Sequence, residues 1–76
     1  MDKIRVKINL LGDLEKYQKK PYFFINYGFT LSNVFQHLNI PKKKDLVIIV
    51  NGRRGDKDYI LNDDDEITVF PTVDGG

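Results

Sequence analysis

The sequence has no cysteine and only one histidine among its 76 residues. The missing cysteines exclude a disulfide framework, a zinc site with thiolate ligands and a cysteine nucleophile. A single histidine leaves little room for a metal site or a histidine-based triad, and we interpret His37 as an ordinary exposed side chain. We therefore expect a chain that is not an enzyme, binds no cofactor or metal, and leaves the chemistry to a partner.

The sequence also lacks an excess of charge of one sign and a long apolar run. Lysine and arginine number 12 and aspartate and glutamate 11, so the net charge is +1. This balance argues against nucleic-acid binding, which needs a strongly basic face. Without a signal peptide or an apolar run of membrane length, we expect a cytoplasmic protein with no membrane partner. The chain is long enough for one small domain, which we expect to be a monomer when free.

The first two predicted elements are strands. Apolar and polar residues alternate over residues 3–11, except that Leu11 falls on the polar side, and this pattern predicts a half-buried strand. A second strand, rich in aromatic residues, follows Pro21 and ends at Gly28. The polar connection between them has room for a helical turn, so the pair forms a hairpin with a long loop. The side chains predicted to face the core are Ile4, Val6, Ile8, Leu10, Phe23 and Ile25.

A helix is predicted over about residues 30–39. Thr30 is the expected N-cap, because its hydroxyl can accept a hydrogen bond from a free N–H group of the first turn. Asn39 and Pro41 are expected to end the helix, since proline restricts the residue before it. The apolar stripe on one side of this helix consists of Leu31, Val34, Phe35 and Leu38.

An interior strand and a tight hairpin follow the helix. Residues 42–44 are three lysines, which we interpret as a solvated loop, with an acidic partner surface as the alternative. Residues 46–50 form a continuous apolar run typical of an interior strand. Asn51 and Gly52 predict a type I′ turn, because both central residues of that turn need positive φ. A short return strand is expected around residues 53–54.

The chain then predicts an acidic turn and a last strand. Residues 62–65 contain three adjacent aspartates, which we interpret as a turn because their spacing is not that of a calcium-binding EF-hand loop. The last strand covers residues 66–70, with Ile67 and Val69 facing the core. Pro71 is expected to end strand pairing, since proline has no N–H group to donate.

This order of elements predicts an α+β fold. One main helix lies on one face of a mixed sheet of four to five strands, which is a β-grasp arrangement. We expect a domain over residues 1–70 and a flexible tail over residues 71–76.

The last two residues, Gly75 and Gly76, are glycines with no structural use in a strand, a helix or a core. They are either a frayed chain end or a thin extended segment that carries a reactive carboxylate into a partner's active site. The residues alone leave both interpretations open.

The sequence resembles the MoaD/ThiS-type sulfur carriers of the ubiquitin-like β-grasp group over nearly its whole length. One departure is Asp64, where such proteins commonly have glycine; aspartate tolerates left-handed φ, so we expect the turn to be kept. The segments that carry the resemblance are residues 10–14, 28–31, 50–52, 61–67 and 70–76.

The resemblance implies a function as a sulfur carrier. An adenylating activating enzyme would use ATP to adenylate the Gly76 carboxylate, and a sulfur donor would convert it to a thiocarboxylate. A sulfur-accepting synthase would then take the sulfur. The long connection from Leu11 to Pro21 and the step from Phe70 to Pro71 are more similar to the molybdopterin-synthase small subunit. The alternatives are thiamin-thiazole sulfur transfer and a protein modifier that forms isopeptide bonds.

Several apolar residues are predicted to lie on the sheet face away from the helix, where they would bind partners. Phe24 could also belong to this group, and the arginines of the short return strand could flank it. Residues 71–74, after the last strand, would carry Gly76 to the partner's active site. The predicted partner-binding residues are Leu11, Val47, Ile49, Arg53, Arg54, Phe70, Pro71 and Val73.

Overall fold

A computed structural model describes residues 3–40 and 46–72 of the chain. The lysine run at residues 42–44, Pro41 and the tail residues Val73, Gly75 and Gly76 lie outside the described residues, and the predictions for them are untested by it. Within the described ranges, no helix is long and apolar enough to cross a bilayer.

The described residues form one five-stranded mixed sheet with one α-helix, as the sequence predicts. From one edge to the other, the strand order is β2-β1-β5-β3-β4. β1 and β5 are parallel neighbours at the centre, and the other pairs are antiparallel. The elements are β1 (Lys3–Leu10), a 3-10 helix (Gly12–Tyr17), β2 (Tyr22–Asn26), α1 (Leu31–His37), β3 (Leu46–Val50), β4 (Arg53–Arg54) and β5 (Glu66–Pro71).

The core lies between α1 and one face of the sheet. Every strand residue predicted to face inward is buried, and three of the four stripe residues of α1 are buried with them. Phe35, the fourth, is only partly buried at the margin. Three further core residues were not predicted from the sequence: Leu14 and Leu61, both fully buried, and Ile40. Leu14 belongs to the 3-10 helix, so the connection between β1 and β2 also contributes to the core.

Hydrogen bonds at both ends set the length of α1. The Thr30 hydroxyl accepts from the backbone N–H of Asn33 at 3.2 Å, and the Asn33 side-chain oxygen accepts from the Thr30 N–H at 2.9 Å. This reciprocal pair is a capping box. At the other end Asn39 has φ +60°, and the N–H of Ile40 reaches back to the carbonyl of Phe35, which is a Schellman arrangement. The helix therefore ends about two residues earlier than predicted.

β5 continues one residue further than predicted, because Pro71 pairs with Leu46. Backbone bonding between Asn51 and Glu66 sets the alternation of the ladder, so Leu46 and Pro71 fall at a position without hydrogen bonds between β3 and β5. Since no N–H is needed there, proline is tolerated. The expectation that Pro71 ends pairing is wrong, and the strand includes the first residue of the segment predicted as tail.

Candidate functional site

The sheet face away from α1 brings together four of the predicted partner-binding residues. Phe70 pairs with Val47 across β5 and β3, and Ile49 pairs with Thr68 one step along. Leu11 follows β1 in extended conformation and donates its N–H to Val69, which brings it beside Phe70. Leu11 is 43% exposed and the other three are half-buried. We call Leu11, Val47, Ile49 and Phe70 the apolar patch.

Only one of the two predicted arginines lies on the side of the apolar patch. Arg54 is opposite Ile49, whereas Arg53 is opposite Val50, which is buried on the helix side of the sheet. Directly opposed residues share a face of the sheet, so Arg54 flanks the patch and Arg53 does not. The prediction that both arginines flank the patch is wrong for Arg53, because a two-residue strand must point its side chains to opposite faces.

Phe24 is also separate from the apolar patch. It lies on the edge strand β2 opposite Arg5, and β1 stands between it and β5. With 67% of its surface exposed, Phe24 is among the most accessible apolar side chains in the described residues. The residue opposite it is charged and β1 separates it from β5, so it does not extend the patch.

The last strand ends directly after Phe70 of the apolar patch, at Pro71. Pro71 packs against the backbone of Gly12, where an added Cβ would lie 3.3 Å from the proline Cδ. Gly12 also has φ +63°, a conformation that glycine adopts without strain. This contact holds Pro71 against the start of the 3-10 helix, next to Phe70 of the patch.

The acidic turn before β5 is built into the fold. The backbone N–H of Arg5 donates to Asp63 at 2.8 Å, and the Arg5 guanidinium forms an ion pair with Asp64 at 3.0 Å. Asp64 has φ +68°, as expected for a position where the resembling proteins have glycine. Among residues 3–40 and 46–72, no cluster of acidic or histidine side chains could hold a metal ion.

Asp65, the third aspartate of the turn, is a buried polar centre that the sequence analysis missed. Only 5% of it is exposed. Its carboxylate accepts from the Asn51 side chain at 2.8 Å, from the Tyr59 hydroxyl at 3.0 Å and from the Asn62 N–H at 2.8 Å. Asn51 in turn accepts from the Glu66 N–H at 2.9 Å. The network ties the β3–β4 turn to the start of β5.

The Tyr59 hydroxyl in this network gives the fold an expected dependence on alkaline pH. Desolvation raises the pKa of Tyr59 above its ordinary value of 10.0, and although the Asn62 side chain opposes this, Asp65 adds to it through its hydrogen bond and charge. Because the folded pKa is the higher one, this stabilisation is fully present below pH 10.0 and is lost as pH rises through the folded pKa.

We expect Tyr59→Phe to remove this dependence. The free energy of unfolding of the wild-type protein should exceed that of the variant near neutral pH, and the difference should shrink above pH 10.0. Urea denaturation of both proteins across this range measures the difference. Tyr27→Phe, at an exposed tyrosine, is the matched control. Its free energy of unfolding should match that of the wild type at each pH. A Tyr59→Phe difference that stays constant with pH would contradict the assignment.

Comparison with known proteins gives one family and a group of similar folds. The sequence model of the ThiS family matches residues 11–76. A comparison with curated protein sequences finds no match.

Among solved structures, the chain is similar to the HVO 2177 protein of Haloferax volcanii, with 21% identity and a TM-score of 0.82, over 99% of this chain and 89% of that one. It is similar to small archaeal modifier protein 1 of the same organism, with 14% identity and a TM-score of 0.72, over 92% and 99%. A complex of subunits 1 and 2 of the molybdopterin-converting factor from Helicobacter pylori gives 24% identity and a TM-score of 0.60, over 96% and 100%. These likenesses establish the fold.

Proposed function

Because the chain belongs to the ThiS family, we propose that it is a sulfur carrier that acts through the C-terminal carboxylate of Gly76. Its fold is the ubiquitin-like β-grasp fold of ThiS/MoaD-type proteins. The single observation that carries the proposal is the family match, which runs from Leu11 through the two terminal glycines.

The proposed chemistry has two steps, both performed in a partner. In the first, an oxygen of the Gly76 carboxylate attacks the α-phosphorus of ATP in an activating enzyme, and pyrophosphate leaves. In the second, a donor at the oxidation level of sulfide attacks the carbonyl carbon, the bond to the phosphate oxygen breaks, and AMP leaves. The product is a thiocarboxylate, formed without any net oxidation or reduction. The chain is a co-substrate in both steps, and it binds no cofactor.

The accepting pathway that we propose is molybdopterin biosynthesis, for the molybdenum or tungsten cofactor. Two observations support this choice. The connection between β1 and β2 is long and contains a 3-10 helix that packs Leu14 into the core, and the Helicobacter pylori neighbour is a complex with a second subunit. The partner would then be a larger synthase subunit, with this chain as the small one.

Two alternatives remain to be separated by experiment. The first is sulfur transfer to a thiazole synthase in thiamin biosynthesis, which the family match supports equally. The second is a modifier that forms isopeptide bonds with lysines of other proteins, since the same fold occurs in a small archaeal modifier protein.

Intact-mass spectrometry tests the proposal. The protein is incubated with the activating enzyme of its own organism, ATP and a sulfide source, with an incubation lacking ATP as the control. We expect a mass gain equal to the replacement of one oxygen by sulfur. Adducts of higher mass that survive denaturation would assign the chain to the modifiers. If a competent activating enzyme produces neither, the carrier proposal is wrong.

We further expect Phe70→Glu to weaken partner binding more than it weakens the fold. Phe70 is only half-buried, so a glutamate can keep its charge in water, whereas a partner docked on the apolar patch would have to desolvate that charge. Loss of a central apolar contact typically costs about 2 kcal/mol or more in binding, which is roughly a thirtyfold change in Kd. Isothermal titration against the activating enzyme or the synthase subunit measures it.

The matched control for this prediction is Ile60→Glu, which places the same charge at an exposed apolar residue outside the apolar patch. It should leave partner affinity close to that of the wild type. Thermal unfolding of both variants separates binding from folding. Equal losses of affinity in the two variants would remove the patch from the interface, and equal losses of affinity and stability in Phe70→Glu would make Phe70 a core residue.

A further inference from the structure

The strand β2 leaves an open backbone edge on the side of the sheet far from β3. Ile8 donates its N–H to the carbonyl of Pro21 at 2.8 Å, and this bond sets the alternation of the β1–β2 ladder. It follows that Tyr22 and Phe24 direct their N–H and C=O groups away from β1. Within the described residues β2 has β1 as its sole strand partner, and no backbone bond reaches these groups.

A groove runs beside this open edge. A cavity of about 310 Å³ lies between β2 and the end of α1. Its floor is apolar, since Phe23 and Leu38 are both buried core residues. The lining residues are Lys19, Lys20, Phe23, Phe24, His37 and Leu38. A depression with an apolar floor next to unpaired backbone groups has the features of a site for an added strand.

The rim of the groove is basic within residues 3–40 and 46–72. Lys19 and Lys20 are exposed, and no carboxylate of the described residues lines the cavity. Lys20 lies 5.7 Å from the centre of the Phe23 ring, so its charge is held over the groove. On the neighbouring sheet face, in contrast, Arg5 and Lys7 already have acidic partners at 3.0 Å and 3.9 Å.

We propose that this groove binds an extended acidic segment of a partner protein. The segment adds a strand to β2 through the backbone groups of Tyr22 and Phe24. One of its apolar side chains enters the groove over Phe23 and Leu38, and its flanking carboxylates lie against Lys19 and Lys20. Backbone pairing supplies affinity in such complexes, and the pocket and charges supply specificity.

A second copy of this chain is a poorer occupant of the same edge. Residues 19–27 contain two lysines and no acidic residue. Two β2 strands paired with each other would therefore place no carboxylate near either pair of lysines. The complementary charge must come from a segment of different composition, which is why the proposal names an acidic partner.

The site is distinct from the apolar patch and does not depend on the proposed sulfur chemistry. β2 and β3 lie on opposite sides of the central pair β1 and β5, so the groove beside β2 is separated from the patch residues Val47 and Ile49 of β3.

The test uses a synthetic peptide of about ten residues, the length of a short added strand, in which valine alternates with threonine and two glutamates flank each end. Titration of the isotope-labelled protein is followed by nuclear magnetic resonance of its backbone amides. We expect saturable shifts at Lys19, Lys20, Tyr22 and Phe24. A peptide with lysines in place of the glutamates should not bind. A peptide N-methylated on the edge that faces β2 should not bind either, because it cannot pair with the strand.

The protein variants test the charges of the rim. The double variant Lys19→Glu/Lys20→Glu should weaken peptide binding by roughly tenfold or more, as expected for two exposed charge pairs. Lys57→Glu is the control, since Lys57 is also exposed but lies away from the groove. It is next to the first turn of α1, where its carbonyl accepts from the Ser32 N–H. It should bind the peptide like the wild type.

Three results would overturn the proposal. The first is the absence of saturable shifts with the glutamate peptide. The second is an affinity that is unchanged by N-methylation or by the lysine reversals. The third is that the β2 shifts grow with protein concentration when no peptide is present, which would assign the edge to a second copy of the chain.

Discussion

Deleting Gly76 should abolish formation of the thiocarboxylate and leave thermal unfolding unchanged. The proposed reaction occurs at the carboxylate of this residue, and removing it places the carboxylate on Gly75, one residue short of the position that the activating enzyme presents to ATP. The buried core residues that the structure describes lie between Ile4 and Val69. We therefore expect the effect on activity to be complete and the effect on stability to be within error.

A graded pair of substitutions sharpens this test. A channel that fits two glycines closely has no space for a side chain, and overpacking a close-packed site costs about 1–3 kcal/mol. Gly76→Ala should slow adenylation by roughly tenfold, since each 1.4 kcal/mol corresponds to a factor of about ten, and Gly76→Val should slow it further. Pyrophosphate release measures adenylation directly. Equal rates for glycine, alanine and valine would show that the tail does not enter a narrow channel.

The control for this series is a check that each variant is folded. Deletion of Gly76, Gly76→Ala and Gly76→Val should all give the same backbone amide spectrum for residues 3–40 and 46–72 as the wild type. If a variant unfolds, its loss of activity says nothing of the active site. A loss of activity in a folded variant points to the carboxylate itself.

Replacing Asp65 by alanine should produce the largest loss of stability among the polar substitutions proposed for this fold. The change leaves three donors without an acceptor: the Asn51 amide, the Tyr59 hydroxyl and the Asn62 N–H. A buried donor without a partner costs about 1–3 kcal/mol, and some of these donors can turn toward water. We expect a loss of about 3 kcal/mol, which lowers Tm by roughly 12–24 °C in a domain of this size.

Denaturation in urea measures this loss, with Asp58→Ala as the control at an exposed aspartate of the same loop region. A surface substitution of that kind typically changes stability by no more than about 0.5 kcal/mol. Asp65→Asn retains one acceptor oxygen and should fall between the two. A loss for Asp65→Ala no larger than for Asp58→Ala would show that the network does not hold the β3–β4 turn to β5.

Local patterns in the sequence were sufficient to predict most of the fold. A strand that alternates apolar and polar residues has one possible buried face, which is why β1 was assigned correctly residue by residue. Thr30 was recognised as a cap because capping acts within one turn. The positive φ expected at Asp64, and the turn at Asn51 and Gly52, are found in the structure, since left-handed φ is itself a local property.

The features that the sequence missed depend on contacts between distant segments. Leu61 is preceded by two half-exposed or exposed residues and has no periodic neighbours, so nothing local marks it as buried. Asp65 looks like its two neighbouring aspartates, and only Asn51, from another strand, distinguishes it. The tolerance of Pro71 depends on which positions of the β3–β5 ladder carry hydrogen bonds, and the sequence alone does not give that alternation.

The candidate site was predicted only in part, because local periodicity gives the face of a strand but not the order of the strands. The period of two placed Val47, Ile49 and Phe70 on one face, and the register confirms it. The same rule, applied to a strand of two residues, places Arg53 and Arg54 on opposite faces, contrary to the prediction that both flank the patch. That Phe24 belongs to a different region of the sheet required the strand order, which the sequence left open. Whether these residues bind partners stays a prediction.

The position of β5 between β1 and β3 has a consequence for how the protein is made. Its parallel neighbour β1 is synthesised first, and nearly the whole chain must follow before the strand that fills the centre exists. Contacts this distant in sequence make folding slow and late. A nascent chain that lacks β5 has a gap between β1 and β3. A chain released by a ribosome that stalls before β5 therefore cannot form the complete sheet. Synthesis of β5 and acquisition of structure are thereby coupled in time.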